Sequence, residues 1–306
     1  MALGAAAENL VLAAHRAGLE VLLRPFPVER HPDLVAQFEF REAFGQALEP
    51  HGADALVEAI GARHTNRRLG PRRRIDPRDL EAITKAIRSI PGAGVQILES
   101  DEALEEVGRL IGVGDRLRLI NEHFNRELMK EIRWTSEEAS EKRDGIFIDS
   151  LELDPSDRAG VLVCRDWSAM ELVNAWRGGA GLEKMAKKSI AAASAVVLVT
   201  MPQAREIDYF NGGRAVERGW LAATRCNIAC HPQTSIAYFF ARLLRGGGEG
   251  FPPAMVDILR ALRARYEKLF ELEVGMAEVL LVRLSITDAP SVRSLRRRVD
   301  EVLRIV

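Results

Sequence analysis

The 306-residue chain is 47% hydrophobic and 28% charged with a formal net charge of -1, the composition of an ordinary globular protein long enough for one large or two smaller domains. That balance gives no global field toward nucleic acid or an anionic membrane, and no run reaches the roughly 18 apolar residues of a membrane helix. Three cysteines (Cys164, Cys226, Cys230) are too few for a secreted disulfide framework, and the N-terminus lacks the regions of a signal peptide, so a cytoplasmic protein is expected.

Residues 2–17 read as an Ala-rich helix closed by Gly18, which takes positive φ freely. LEVLLRPF, 19–26, reads as a buried strand stopped by prolines. LVAQFEF, 34–40, alternates as a second strand. A helix near 53–62 leads into ARHTNRR, and 75–90 is amphipathic with Asp76 as N-cap and Pro77 at N1. GVQILE, 94–99, is a short strand. The pattern is then helical to about Trp134, with a bend expected at Gly112 and Gly114. Residues 135–160 form a polar insert, long enough to be functional or mobile. Helices follow to about Ala193, then the apolar strand AVVLVTM, 195–201, a helix over 212–226 and two more helices to about 270. VLLVRLSI, 279–286, is the last strand, and a basic tail follows it. The mixture gives an α+β or α/β class.

One helix is written twice. GAAAENLVLAAHRAG, 4–18, and GRAVERGWLAATRCN, 213–227, align at one constant offset: Gly4 with Gly213, Glu8 with Glu217, and Leu12, Ala13, Ala14 and Arg16 with Leu221, Ala222, Ala223 and Arg225.

Two segments carry cations in clusters. In ARHTNRR, Arg63, His64, Thr65 and Arg67 bring two permanent cations, an imidazole and a hydroxyl together at a helix boundary. Such a set suits a phosphate ester, because guanidinium groups bind phosphate in a bidentate way; a solvated basic loop is the alternative. In SLRRRVDEVL, consecutive Arg296, Arg297 and Arg298 cannot all face one way, so one or two turn toward a phosphate or the segment is a solvated tail. Cys226, Cys230 and His231 lack the second ligand pair of a zinc site, so no metal is expected. GGAG, 178–181, and GVG, 112–114, do not complete a dinucleotide loop, and no nucleophile elbow is present.

Together these residues resemble the nitroreductase-like flavoprotein family. Arg63, His64, Thr65 and Arg67 match its Arg-His/Arg-Ser-x-Arg/Lys loop, with Thr for Ser. LAAHRAGL, 12–19, matches the end of its central helix; LAATRCNI, 221–228, does so with Asn227 for Gly, and Asn is the next best residue for left-handed backbone. VLLVRLSI with SLRRR, 279–298, fits its C-terminal strand and following arginines. The resemblance is closer to the duplicated, Acg-type branch, and the chain also looks like the C-terminal part of actinobacterial proteins that fuse an E1-like (ThiF-type) adenylating domain to such a region.

The resemblance implies an α+β, three-layer fold with a central mixed sheet flanked by helices. It implies an internal pseudo-dimer, with an incomplete first half over 1–52 and a second half over 53–306 carrying a lid insert at 135–160. FMN is the implied cofactor, bound through Arg63, His64, Thr65, Arg67, Arg296 and Arg297, with His64 either a contact or a cap. NAD(P)H is the implied transient hydride donor through flavin N5, and a nitro compound or quinone the acceptor. No catalytic side chain is assigned. The family's QPW-type segment is missing; IRSIPGAGVQIL, 87–98, stands in its place. A homodimer partner or a region preceding the chain is expected to supply the rest of the flavin site. The alternatives are a non-catalytic FMN-sequestering protein and a cofactor-free module of an adenylating protein.

Overall fold

The computed structural model describes residues 1–42 and 54–305. The expected boundary between residues 52 and 53 lies outside them, as does the start of the helix expected over 53–62.

A four-stranded sheet carries the fold. Its strands are β3 (Gly94–Leu98), β6 (Ala195–Met201), β7 (Ala229–Gln233) and β8 (Ala277–Ser285), in the order β3-β6-β8-β7. β6 is buried along its whole length because helices cover both faces of the sheet. Its alternate side chains serve two cores. Ala195, Val197, Val199 and Met201 pack toward the helices α1 (Ala2–Arg16), α3 (Pro77–Arg88) and α10 (Glu206–Arg225). Val196 and Leu198 pack toward α4 (Asp101–Ile120), α9 (Lys184–Ala191), α11 (Ser235–Gly246) and α12 (Pro253–Leu269). The fold is therefore α+β in three layers, as expected. Every pairing in this sheet is antiparallel, where a mixed sheet was expected. Among the described residues the one parallel ladder is the two-residue pairing of β4 (Ile132–Arg133) with β5 (Ile146–Phe147). β1 (Leu19–Pro25) and β2 (Ala36–Glu42) form a separate antiparallel ribbon.

Local signals explain most boundaries. The Asp76 carboxylate accepts from Arg78 N and Pro77 opens α3, satisfying one donor and removing another at the helix start. The long helical stretch does not bend at its glycines. Gly112 packs against Glu183 and Gly114 against Ile236, so both serve close approach. The break falls at Asn121, whose extended backbone ends α4 and whose side chain caps Phe124 N of α5 (Glu122–Glu131).

α1 and α10 match in shape down to their last turns. Ala17 and Cys226 cap them with nearly equal dihedrals, φ -78° and ψ 3° against φ -81° and ψ 7°. The next residues, Gly18 and Asn227, both have positive φ, 76° and 55°, and each helix then leads into a strand. The two helices pack against each other through reciprocal contacts. A Cβ on Gly4 would stand 1.9 Å from the Phe210 carbonyl oxygen, and a Cβ on Gly213 would stand 2.0 Å from that of Met1. Met1 and Phe210 are themselves equivalent positions of the repeat, so each helix meets the other with the same surface.

The insert is not a bare loop. It holds α6 (Ser136–Lys142), β5, a 3-10 turn over Ile148–Leu151 and the start of α7 (Pro155–Val163), with positive φ at Arg143, Gly145 and Glu152.

Candidate functional site

The loop 62–70 runs along the end of β7 and β8. Asn66 anchors it: its N–H donates to the Cys230 carbonyl at 2.9 Å, and its side-chain amide donates to the Asp288 carbonyl at 2.9 Å. Arg283, near the C-terminal end of β8, braces it from beneath. One Nη donates to Ser189 Oγ at 2.6 Å; the other reaches the carbonyls of Asn66 and Arg68 at 3.3 and 3.1 Å. Arg283 is 1% exposed, and its Nε has no hydrogen-bond partner. Desolvation, then the charge of Arg67, pushes its guanidinium down to about 10.

The predicted loop residues take distinct places. Arg63 lies with Nε 2.8 Å from Glu217 Oε1, its guanidinium 4.7 Å above the Trp220 ring. Burial lowers the Arg63 pKa, the Glu217 charge opposes that shift, and Arg296 adds to it. Burial raises the Glu217 carboxyl. Arg67 donates to the Ser150 carbonyl at 3.2 Å and is pushed down by desolvation alone, with no carboxylate against it among the described residues. Thr65 is half-buried between these two arginines. His64 turns Nδ1 to the Ala62 carbonyl at 2.6 Å; a carbonyl only accepts, so Nδ1 carries a proton.

The tail joins this group in part. Arg296 donates to the Arg63 carbonyl at 3.0 Å. Arg297 instead faces the insert, 3.6 Å from Asp144. The structure thus brings Arg63, Arg67 and Arg296 together with Arg283 and leaves Arg297 on the rim. His231, beside them on β7, is held well below the usual imidazole range by desolvation and by Arg283 and Arg67. Cys230 is buried and pushed up to about 12, and Cys226 is pushed up to about 11 by burial and Asp79.

The insert is tied over the cluster at several points. Besides the Arg67–Ser150 bond, Arg143 Nε donates to the Arg296 carbonyl at 2.8 Å, and the Glu152 carboxylate accepts from Ser291 N and Oγ. A cavity of about 190 Å³ lies between insert and tail, lined by Ala139, Phe147, Val292 and Leu295 among others.

Sequence reasoning missed Glu217, Trp220, Ser150 and Arg283 as parts of this site. Two left signals. Glu217 is a carboxylate at the repeat position that Glu8 also fills, and Arg283 is the lone charge inside VLLVRLSI.

Fold and site together define an α+β protein with a partly buried arginine cluster suited to an anion. No family model matches the chain. It is 28% identical over 299 residues, 97% of its length, to the uncharacterized protein MT1398 of Mycobacterium tuberculosis, and it spans 40% of the length of that relative. Among solved structures it is similar to a nitroreductase with bound FMN from Bacteroides fragilis, with a TM-score of 0.47 and 15% identity over 82% of this chain and 98% of that one. An FMN-dependent nitroreductase from Clostridium difficile gives a TM-score of 0.47 and 12% identity over 82% and 98%. At these scores the likenesses carry no functional conclusion for this chain.

Proposed function

We propose that the chain binds FMN and acts as an NAD(P)H oxidoreductase of the nitroreductase type on a small-molecule acceptor, a nitro compound or quinone. The observation that carries this reading is a charge imbalance. Arg63, Arg67, Arg283 and Arg296 converge, and among the described residues Glu217 is their one carboxylate partner. Arg283 is buried and Arg63 and Arg67 half-buried, and buried cations with a single carboxylate among them favour a bound anion. A phosphate monoester fits, because it accepts several charge-assisted hydrogen bonds at once.

Bound FMN supplies hydride transfer; the protein supplies binding, orientation and exclusion of water. In this reading Arg63, Thr65, Arg67 and Arg296 hold the phosphate end, Arg283 fixes the loop that presents them, and the insert shields the site. His64 caps the loop and Arg297 ties insert to tail. No side chain is assigned a proton-transfer role.

The reciprocal packing of α1 and α10 supports reading 1–52 as a partial first half and 53–306 as the second half of an internal pseudo-dimer. A second copy, or a further region of a longer protein of the duplicated Acg-type or ThiF-fused kind, supplies the rest of the flavin environment. The match to two fifths of a longer relative supports that arrangement. A cytoplasmic setting suits the three free thiols; among the described residues no helix is long and apolar enough to cross a membrane.

The test is direct. Protein mixed with FMN and desalted should stay yellow and oxidise NAD(P)H with a quinone, and Arg67→Ala should lose the flavin. A wild-type protein that takes up no FMN sinks the proposal. A second reading, FMN sequestration without turnover, is favoured by the Ser150 carbonyl on Arg67 and the ties between insert and tail. It predicts retained flavin with negligible NAD(P)H oxidation.

A further inference from the structure

Glu8 and Glu217 occupy equivalent positions of α1 and α10, yet they are paired differently. Glu8 is fully buried and held from α10 by Arg214 Nε at 2.7 Å and Arg218 Nε at 2.5 Å. The α1 residues equivalent to those arginines are Ala5 and Asn9, so no cation reaches Glu217 across the helix pair. Asn9 lies against its carboxylate, and the charge comes from outside both helices, from Arg63 in the loop.

The manner of that contact matters. Glu217 approaches the Nε side of Arg63 at 2.8 Å, but off the N–H direction, so both atoms lack a hydrogen bond. Trp220, three residues along α10, covers one face of the guanidinium, and Arg296 holds the Arg63 carbonyl. The Nε edge, one face and the backbone of Arg63 are thus occupied. Its two Nη groups meet no hydrogen-bond acceptor among the described residues. A carboxylate that competed with a ligand would be expected on the Nη fork, where bidentate pairing is strongest.

We infer that Glu217 is a positioning residue, holding Arg63 against Trp220 so that its Nη edge is presented to a phosphate monoester. This role rests on the FMN-binding reading above. In the first copy of the helix the same carboxylate has become purely structural, because two arginines of the partner helix tie it down.

The experiment is a double-mutant cycle read by FMN affinity, with quenching of flavin fluorescence as the signal, on wild type, Arg63→Ala, Glu217→Gln and the double variant. Glu217→Gln should weaken binding about tenfold. On the Arg63→Ala background the same change should alter affinity by no more than about twofold, because its target is gone. A merely structural Glu217 would lower affinity equally in both backgrounds, and that result overturns the role. Unchanged or tighter binding by Glu217→Gln overturns it too. If the Gln variant does not fold, Glu217→Asp keeps the charge, draws it back by one methylene, and should show a smaller loss that again vanishes without Arg63. Wild-type protein that binds no FMN overturns the proposed function and this role together; wild-type binding with an insensitive Glu217 overturns this role alone.

Discussion

Gly4→Ala separates helix propensity from packing by the sign of its effect. Alanine is favoured over glycine in a helix by about 1 kcal/mol, so propensity alone makes the variant more stable. The new Cβ, however, would stand 1.9 Å from the Phe210 carbonyl oxygen and 2.9 Å from its carbon, where contacts below 3.0 Å are essentially never seen. Both obstacles are helix backbone and cannot rotate aside. α1 and α10 must separate by more than about 1 Å, and overpacking against backbone that cannot yield costs about 2–3 kcal/mol, the upper part of the usual range. The net expectation is a loss of about 1–2 kcal/mol, a fall in Tm of a few degrees. Urea or thermal unfolding followed by circular dichroism measures it. Gly213→Ala meets the Met1 carbonyl at 2.0 Å and should behave likewise. Because one separation of the helices relieves both clashes, the double variant should lose less than the sum of the two. A neutral or stabilised Gly4→Ala, or strictly additive losses, would refute reciprocal contact between the two helices.

Glu8→Gln should destabilise by about 3–5 kcal/mol, because it strips two partly buried arginines of their shared carboxylate; a loss below about 1 kcal/mol in denaturant titration contradicts the buried network. His231 should make the fold acid-sensitive. Its folded pKa is depressed, so its contribution is fully present above the unfolded value of 6.5. As pH falls below 6.5 the unfolded chain takes up a proton the folded chain refuses, and stability drops by about 1.4 kcal/mol per pH unit until the folded pKa is reached. His231→Asn should flatten that slope between about pH 6.5 and 5, and an unchanged slope refutes it. The three cysteines should react slowly with a thiol reagent at pH 8 in the native state and rapidly in guanidinium, since burial raises all three thiols; fast native labelling of Cys230 would place it wrongly. FMN released from saturated protein should amount to one per chain, because among the described residues the first helix copy has no counterpart of the arginine loop; two per chain refutes a single site.

The layers of the fold were legible where one residue type decides a local geometry. Asp76 and Pro77 announced the start of α3, and Gly18 and Asn227 announced two left-handed caps. The run 195–201 announced a strand covered on both faces. Other features depend on partners far along the chain and left no local mark. Gly112 and Gly114 look like a hinge in sequence, but their missing side chains admit Glu183 and Ile236, and Asn121 makes the break. The antiparallel order of the sheet is a matter of which strands meet, which period and composition do not encode. Of the arginine cluster, the loop and tail were visible as charge runs. Arg283 was hidden because a strand that reads as apolar core carries it, and its role appears only when the carbonyls of Asn66 and Arg68 arrive above it.

The repeated helix shows how shape and charge can diverge within one chain. The two copies keep the same last turn, the same left-handed exit and the same close glycine contact, and the glycines are what admit the close approach of the helices. Their buried carboxylates are constrained differently: a glutamate inside the pair must be neutralised, but by whom is free to vary. In one copy the partner helix supplies both cations, and the residue has nothing left to offer a ligand. In the other the partner helix supplies Asn9, and the neutralising cation is drawn from a loop in which Arg67 meets no carboxylate among the described residues. The same helix position thereby closes one side of the helix pair and, in the role inferred for Glu217, holds Arg63 on the other. Reversing the assignment, by moving arginines to positions 5 and 9, would give Glu217 a partner inside the helix pair and release Arg63, and FMN affinity should then fall although no residue of the loop has changed.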